Sequence, residues 1–166
     1  MAVLPVLLYP DRRLKTACSS VDDFNSIAST IQDLIDTMDA GPPRTVGIAA
    51  PQIGAMVRAA IVHSERNPKY PGGNGFLTLI NPVIVGSVGK QFFREGCLSI
   101  PEYTANIRRA QSVTVEYFDI DGERRLITAD GFESVVIQHE LDHLDGILFL
   151  DRVTDIKTDL FRRQQR

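Results

Sequence analysis

Between Asn25 and Ala40 the apolar residues Ile27, Ile31, Leu34, Ile35 and Met38 recur at the spacing of one helical face, so a helix is predicted there. Gly41 ends it and Pro42-Pro43 forbid its continuation. A stretch rich in small residues follows, Val46 to Gly54, and then Arg58 to His63 reads as a strand. Two prolines and three glycines mark Asn67 to Gly75 as a loop. Phe76 to Val85 reads as a strand pair or a strand bent at Asn81-Pro82, and Phe92 to Ile100 is mixed around Gly96. From Ser112 to Ile120 apolar and polar residues alternate, as in a half-buried strand. Asp121-Gly122 predicts a tight hairpin turn, with Glu123 to Thr128 as the return strand. A final helix is expected from Gly131 to Asp145. Asp130 is its expected N-cap, Glu133 sits at capping-box spacing, and Gly146 is the C-terminal stop. Strands and helices without βαβ alternation indicate an α+β fold, with antiparallel or mixed sheets packed around that last helix.

Length and charge narrow the picture. At 166 residues the chain is expected to form a single domain, with 154–166 as a short C-terminal helix or tail. A net charge of −3 argues against a dedicated nucleic-acid binder. No apolar run is long enough to span a membrane. Met1 to Pro10 lacks the basic start and cleavage pattern of a signal or transit peptide. Two cysteines, Cys18 and Cys97, are too few for a disulfide framework and suggest a reducing compartment.

The chemistry concentrates in His139-Glu140-Leu141-Asp142-His143. On a helix, residues four apart share a face, so both imidazoles can reach one ion. Glu140 points about 100° around the axis. It is a poor ligand for that ion, but it is well placed to take a proton from a water that the ion has acidified. Chance alone would produce this pentad in roughly 0.2% of chains of this composition. The third ligand is open. His-x-x-Gly-x-x-His fails because Phe149 stands at its last position, and no Glu follows Glu140. The ligand is therefore either upstream or one of the downstream aspartates. His63 reads as an ordinary residue at a strand end, and Cys18 as a plain thiol in a polar loop. Cys97, beside Gly96, is the stronger candidate.

Three segments resemble one family. Gln138 to Gly146 (Gln-His-Glu-Leu-Asp-His-Leu-Asp-Gly) is similar to the third motif of peptide deformylases. Glu95-Gly96-Cys97-Leu98-Ser99 resembles their second motif letter for letter, and Gly47-Ile48-Ala49-Ala50-Pro51-Gln52 their first. The Tyr9-Pro10-Asp11 start also matches, and the resemblance runs to about Val153. It implies hydrolysis of the N-terminal formyl group of formyl-methionyl chains, with release of formate. Cys97, His139 and His143 map to the metal ligands and Glu140 to the general base. Gln52 and the backbone N–H of Leu98 map to the groups that stabilise the formyl oxygen. The resemblance implies Fe²⁺ in the cell, with Zn²⁺, Ni²⁺ or Co²⁺ able to replace it. One thiolate and two imidazoles, taken alone, suggest zinc.

The methionine side chain needs an apolar slot, for which Phe132, Val135 and Val136 are candidates. The peptide backbone is expected to lie near Val46, Gly47 and Gly96 as an added strand. Glu95 is expected behind the ligands, and Arg109 is expected to pair with Asp142. Thr45 and Ile48 depart from the usual first motif, which puts loop flexibility, slot shape and substrate preference in question. The loop 67–75 is a candidate border of the cleft. Arg162, Arg163 and Arg166 form a basic tail, read as a solvated helix end, with contact to the ribosome left open. The location implied is the cytoplasm of a bacterial-type cell, or an organelle after transit-peptide removal. Two other readings stand beside this one: a relative with a shifted acyl-amide substrate, and a module in which the ion only staples the fold.

Overall fold

The computed structural model describes residues 2–164. Three α-helices and eight strands appear in the order α1 (Phe24–Ala40), β1 (Gly47–Ala49), β2 (Ala59–Val62), β3 (Leu77–Val88), β4 (Gln91–Cys97), β5 (Ile100–Arg109), β6 (Ser112–Phe118), β7 (Arg124–Asp130), α2 (Gly131–Leu144), α3 (Ile156–Asp159) and β8 (Leu160–Arg162). Strands β1-β2-β3-β6-β7 form one sheet and β4-β5-β8 a second. Every pairing within the two sheets is antiparallel. The expected α+β fold is present.

Around β2 the larger sheet is covered on both faces, whereas the second half of β3 and most of β7 are exposed. In β2, Ala59 and Ile61 join Ile27, Ile31, Leu34 and Met38 of α1. Val62 turns the other way, with Leu77, Leu79, Val113 and Val115, towards Val136, Ile137 and Leu141 of α2. This is the two-residue period of a strand buried on both sides. A third cluster joins the smaller sheet to the segment after α2, through Ile100, Ala105, Ile107, Leu148 and Phe149. Helix α2 is thus central, and eleven of its fourteen residues are buried.

Local chemistry explains the irregular points. The bend in β3 falls at Asn81, whose φ is +49°. Its amide accepts from Val21 N at 2.8 Å and donates to Val21 O at 2.9 Å, which fixes the bend against the N-terminal segment. In the β6–β7 turn, Asp119 accepts from the backbone N–H groups of Asp121 and Glu123. The capping box expected at α2 is not formed. Asp130 makes no side-chain cap. Glu133 is buried and instead accepts from the Asn74 backbone and side chain, which ties loop 67–75 to the helix start. The C-terminal end behaves as expected: Gly146 has φ +73° and returns its N–H to His143 O. Cys18 is buried beneath this end, its N–H bonded to Leu144 O, so it does not sit in an open polar loop.

The C-terminal segment differs from a helix end. After the single turn of α3 the chain extends and β8 pairs with β5, so Arg162 ends a strand and Arg163 follows it. Arg166 lies outside the described residues.

Gly146→Ala places a methyl group within 2.9 Å of the Lys15 and Thr16 backbone, at a φ that L-residues resist. We expect a loss of about 1–3 kcal/mol in denaturant unfolding. An unchanged midpoint would contradict the close approach of the two segments.

Candidate metal centre

Cys97, at the end of β4, and His139 and His143, on one face of α2, place one ligand atom each within 4.8 Å of one another. His143 Nε2 is 3.3 Å from Cys97 Sγ. His139 Nδ1 is 2.8 Å from Glu95 Oε1, which leaves Nε2 for the cluster. A carboxylate behind a ligating histidine fixes the ring and its tautomer.

Glu95 is itself held. Arg109, on β5, grips both its oxygens at 2.7 and 2.8 Å and reaches Asp142 on α2 at 2.6 Å. The expected Arg109–Asp142 pair is present. Arg152 completes the network on Asp142 at 2.5 and 2.7 Å. Burial pushes the Glu95 carboxyl up, but hydrogen bonds from Arg109 and His139 outweigh it and hold the group at about 2. Burial also pushes His143 well down, towards the neutral imidazole that can ligate. In His139 burial acts downward as well, but Cys97 and Glu95 overcome it and raise the group.

Glu140 packs against β1. A Cβ built on Gly47 would lie 2.8 Å from Glu140 Oε1, so glycine makes room for this carboxylate. Burial raises Glu140 to about 7. Its Oε2 and the Nδ1 of His143 are buried without partners among the described residues. Converging donors beside an orphaned buried carboxylate oxygen fit one divalent cation, since buried polar atoms otherwise find partners. A thiolate and two imidazoles suit a borderline-soft ion.

The centre opens into a cleft of about 480 Å³. Gln52, Leu98, Val46, Gly47, Gly96, Phe132, Val135 and Val136, all singled out from the sequence, line it with Cys97, His139 and Glu140. Gln52 is oriented by accepting from Ala49 N at 3.0 Å and donating to Ser99 Oγ at 3.1 Å. Its Nε2 thereby lies 3.6 Å from Cys97 Sγ. The N-terminal segment clips the two motifs together, with Leu7 N bonded to Gln52 O and Tyr9 N to Ser99 O. Phe132 stacks on Tyr70 with centroids 4.2 Å apart. Of the two departures, Thr45 lines the cleft, whereas Ile48 is fully buried against the α1 side and does not shape the slot. In loop 67–75, Asn67 borders the cleft while Asn74 is tied to Glu133. His63 stands outside the centre, edge-on to Phe76. Sequence reasoning missed Arg44, Phe93, Arg94, Pro101 and Arg163 in the cleft wall. No local spacing marks them.

An α+β fold with two histidines, a cysteine and an adjacent carboxylate at the floor of a cleft defines a metal-dependent hydrolase. The family model for polypeptide deformylase matches residues 3–159. The chain belongs to this family, whose activity is metal-dependent deformylation. It is 40% identical to a peptide deformylase of Xylella fastidiosa, over 99% of this chain and 95% of that protein. It is 39% identical to a peptide deformylase 2 of Vibrio cholerae, over 96% and 92%. Among solved structures, a peptide deformylase from Legionella pneumophila superposes with a TM-score of 0.83 at 38% identity, over 94% of this chain and 89% of that one. A class I type b peptide deformylase from Acinetobacter baumannii with Met-Ala-Ser bound gives 0.84 at 33% identity, over 92% and 99%. No helix among the described residues is long and apolar enough to cross a membrane.

Two outcomes follow from the buried network. Arg109→Met leaves the buried Glu95 without its guanidinium and Asp142 with Arg152 alone, so stability should fall by about 3–5 kcal/mol and bound metal with it. Wild-type metal content and unfolding midpoint would refute the positioning role. Glu95 releases its proton far more readily when folded, at about 2 against the usual 4.5. The unfolded chain therefore binds that proton first, and the stability Glu95 contributes is complete above pH 4.5 and lost as pH falls towards 2. Acid titration of Glu95→Gln should lack this component.

Proposed function

We propose that the cleft removes the formyl group from N-formyl-methionyl peptides, with Glu140 as the proton carrier. The observation that carries this is the buried, partly unpartnered Glu140 carboxylate beside the Cys97–His139–His143 cluster. A divalent ion, when bound, supplies the Lewis acidity that acidifies a water and polarises the formyl carbonyl. Glu140 takes the proton of the attacking water and returns it to the leaving amine. Its pKa of about 7 suits both halves of that task near neutrality.

Negative charge develops on the formyl oxygen as the carbon becomes tetrahedral. Gln52 Nε2, already turned towards Cys97, and the Leu98 N–H donate to it. One such donor is typically worth about 3–4 kcal/mol. Phe132, Val135 and Val136 take the methionine side chain. β1 and β4 are both edge strands of their sheets, so an extended peptide can add along Val46-Gly47 and Gly96. The Acinetobacter relative carries Met-Ala-Ser, the peptide that remains when formyl-Met-Ala-Ser loses its formyl group. On this reading the substrate is the formylated start of a nascent chain, met in the cytoplasm as it leaves the ribosome. Iron(II) is the expected ion in the cell, by resemblance to the family, and zinc by donor chemistry.

The test is formate release from formyl-Met-Ala-Ser by protein purified without oxygen and loaded with Fe²⁺. Glu140→Ala should lose roughly 10²–10⁴-fold in kcat while retaining its metal. Turnover unaffected by that substitution would remove Glu140 from the mechanism. Absence of turnover at full metal occupancy would refute the substrate.

A further inference from the structure

The C-terminal strand brings into the cleft a cation that the hydrolysis does not use. Leu160, Phe161 and Arg162 of β8 pair with Ala105, Thr104 and Tyr103 of β5. The next residue, Arg163, donates its backbone N–H to Glu102 O at 2.7 Å. Phe161 lies under the guanidinium of Arg94, whose central carbon is 3.6 Å from the ring centroid. Ladder and stack together hold the segment against the β4–β5 hairpin. From this anchor the Arg163 side chain reaches over Gly96, where a Cβ built on the glycine would overlap its Nη2. Arg163 lines the same cleft as Cys97, His139 and Glu140.

The charges around it are unbalanced. Two carboxylates line the cleft, and neither is available to Arg163. Glu95 is bound by Arg109 and His139, and Glu140 is buried behind Gly47. Among the described residues the Arg163 guanidinium has no hydrogen-bond or ion-pair partner. Arg44 and Arg94 line the same cleft and add to its positive sign. An extended peptide that starts at the metal cluster and runs back along β4 advances about 3.3 Å per residue. Its second and third residues then pass Gly96, within reach of the long Arg163 side chain.

We propose that Arg163 is a specificity-determining residue that selects formyl peptides bearing a carboxylate at the second or third residue, counting methionine as the first. This rests on the deformylase reading above. A guanidinium suits this task because its fork matches a carboxylate with two parallel hydrogen bonds. The contact is made equally in the ground and transition states, so the selection appears in KM and leaves kcat alone.

The experiment compares kcat/KM for formyl-Met-Ala-Asp-amide against formyl-Met-Ala-Asn-amide, and for formyl-Met-Asp-Ala-amide against formyl-Met-Asn-Ala-amide, with metal-loaded enzyme. The amides remove the terminal carboxylate, so only the side chain differs. Wild type should favour Asp roughly three- to tenfold at one of the two positions, through KM, with the ratio shrinking at high salt. Arg163→Gln should bring that ratio to one, and Arg163→Lys should keep part of it. Arg163→Glu should turn the preference towards formyl-Met-Ala-Lys-amide or formyl-Met-Lys-Ala-amide. Because each comparison is a ratio within one protein, partial loss of folded enzyme cancels. A wild-type ratio of one at both positions, or a ratio that survives Arg163→Gln, overturns the proposal while leaving the deformylase reading intact. No turnover of any peptide by metal-loaded wild type refutes that reading, and this proposal falls with it.

Discussion

Arg109 is only 4% exposed, and a guanidinium cannot shed its charge by losing a proton. Each structural element around it must therefore either bring a carboxylate or keep away, because an unpaired buried charge costs several kcal/mol. β4 brings Glu95 and α2 brings Asp142. This one requirement locks the smaller sheet to the central helix. It also sets the chemistry, because the Glu95 oxygen that faces Arg109 also faces His139 Nδ1 and so aims the other ring nitrogen at Cys97. The metal centre is thus positioned by a charge that never touches it.

The remaining freedom lies in the cleft, where two edge strands face each other and two glycines matter for their missing side chains. Gly47 gives its space to Glu140 and Gly96 gives its space to Arg163. One concession admits a carboxylate beside the Cys97–His139–His143 cluster, and the other admits a cation into the same cleft.

Supporting contacts come from residues with no visible catalytic pattern. Gln138 bonds Ala110 N and O, fastening α2 to the β5–β6 turn. Arg58 caps the last carbonyls of α2 through Leu144 O and pairs with Asp145, as suits the negative end of a helix. Leu7 and Tyr9 hold Gln52 and Ser99 in register. These bonds are unremarkable one by one. Together they keep the cleft's donors in place before any ligand arrives, which is the condition for efficient electrostatic stabilisation.

Local pattern was enough for the helices α1 and α2, the alternating strand β6 and the β6–β7 turn, because periodicity and turn chemistry act over a few residues. The pair His139 and His143 was legible for the same reason, since one helical face sets their separation. Cys97 stood out as a candidate ligand beside Gly96, but its assignment, like that of Gln52 and Arg109, came through motif resemblance, because the partners that place these side chains lie 14 to 47 residues away in sequence. Glu133 went wrong because capping-box spacing is a local signal, and loop 67–75 offered its carboxylate stronger partners in Asn74. Arg163 read as part of a solvated tail, since nothing in three residues of strand announces which sheet edge they will join. Residue type and spacing were enough to show which side chains can ligate and which segments form helices and strands. Which of those side chains share a cleft depends on the folded chain, because distances across it are set by packing and buried charge, which no spacing along the chain encodes.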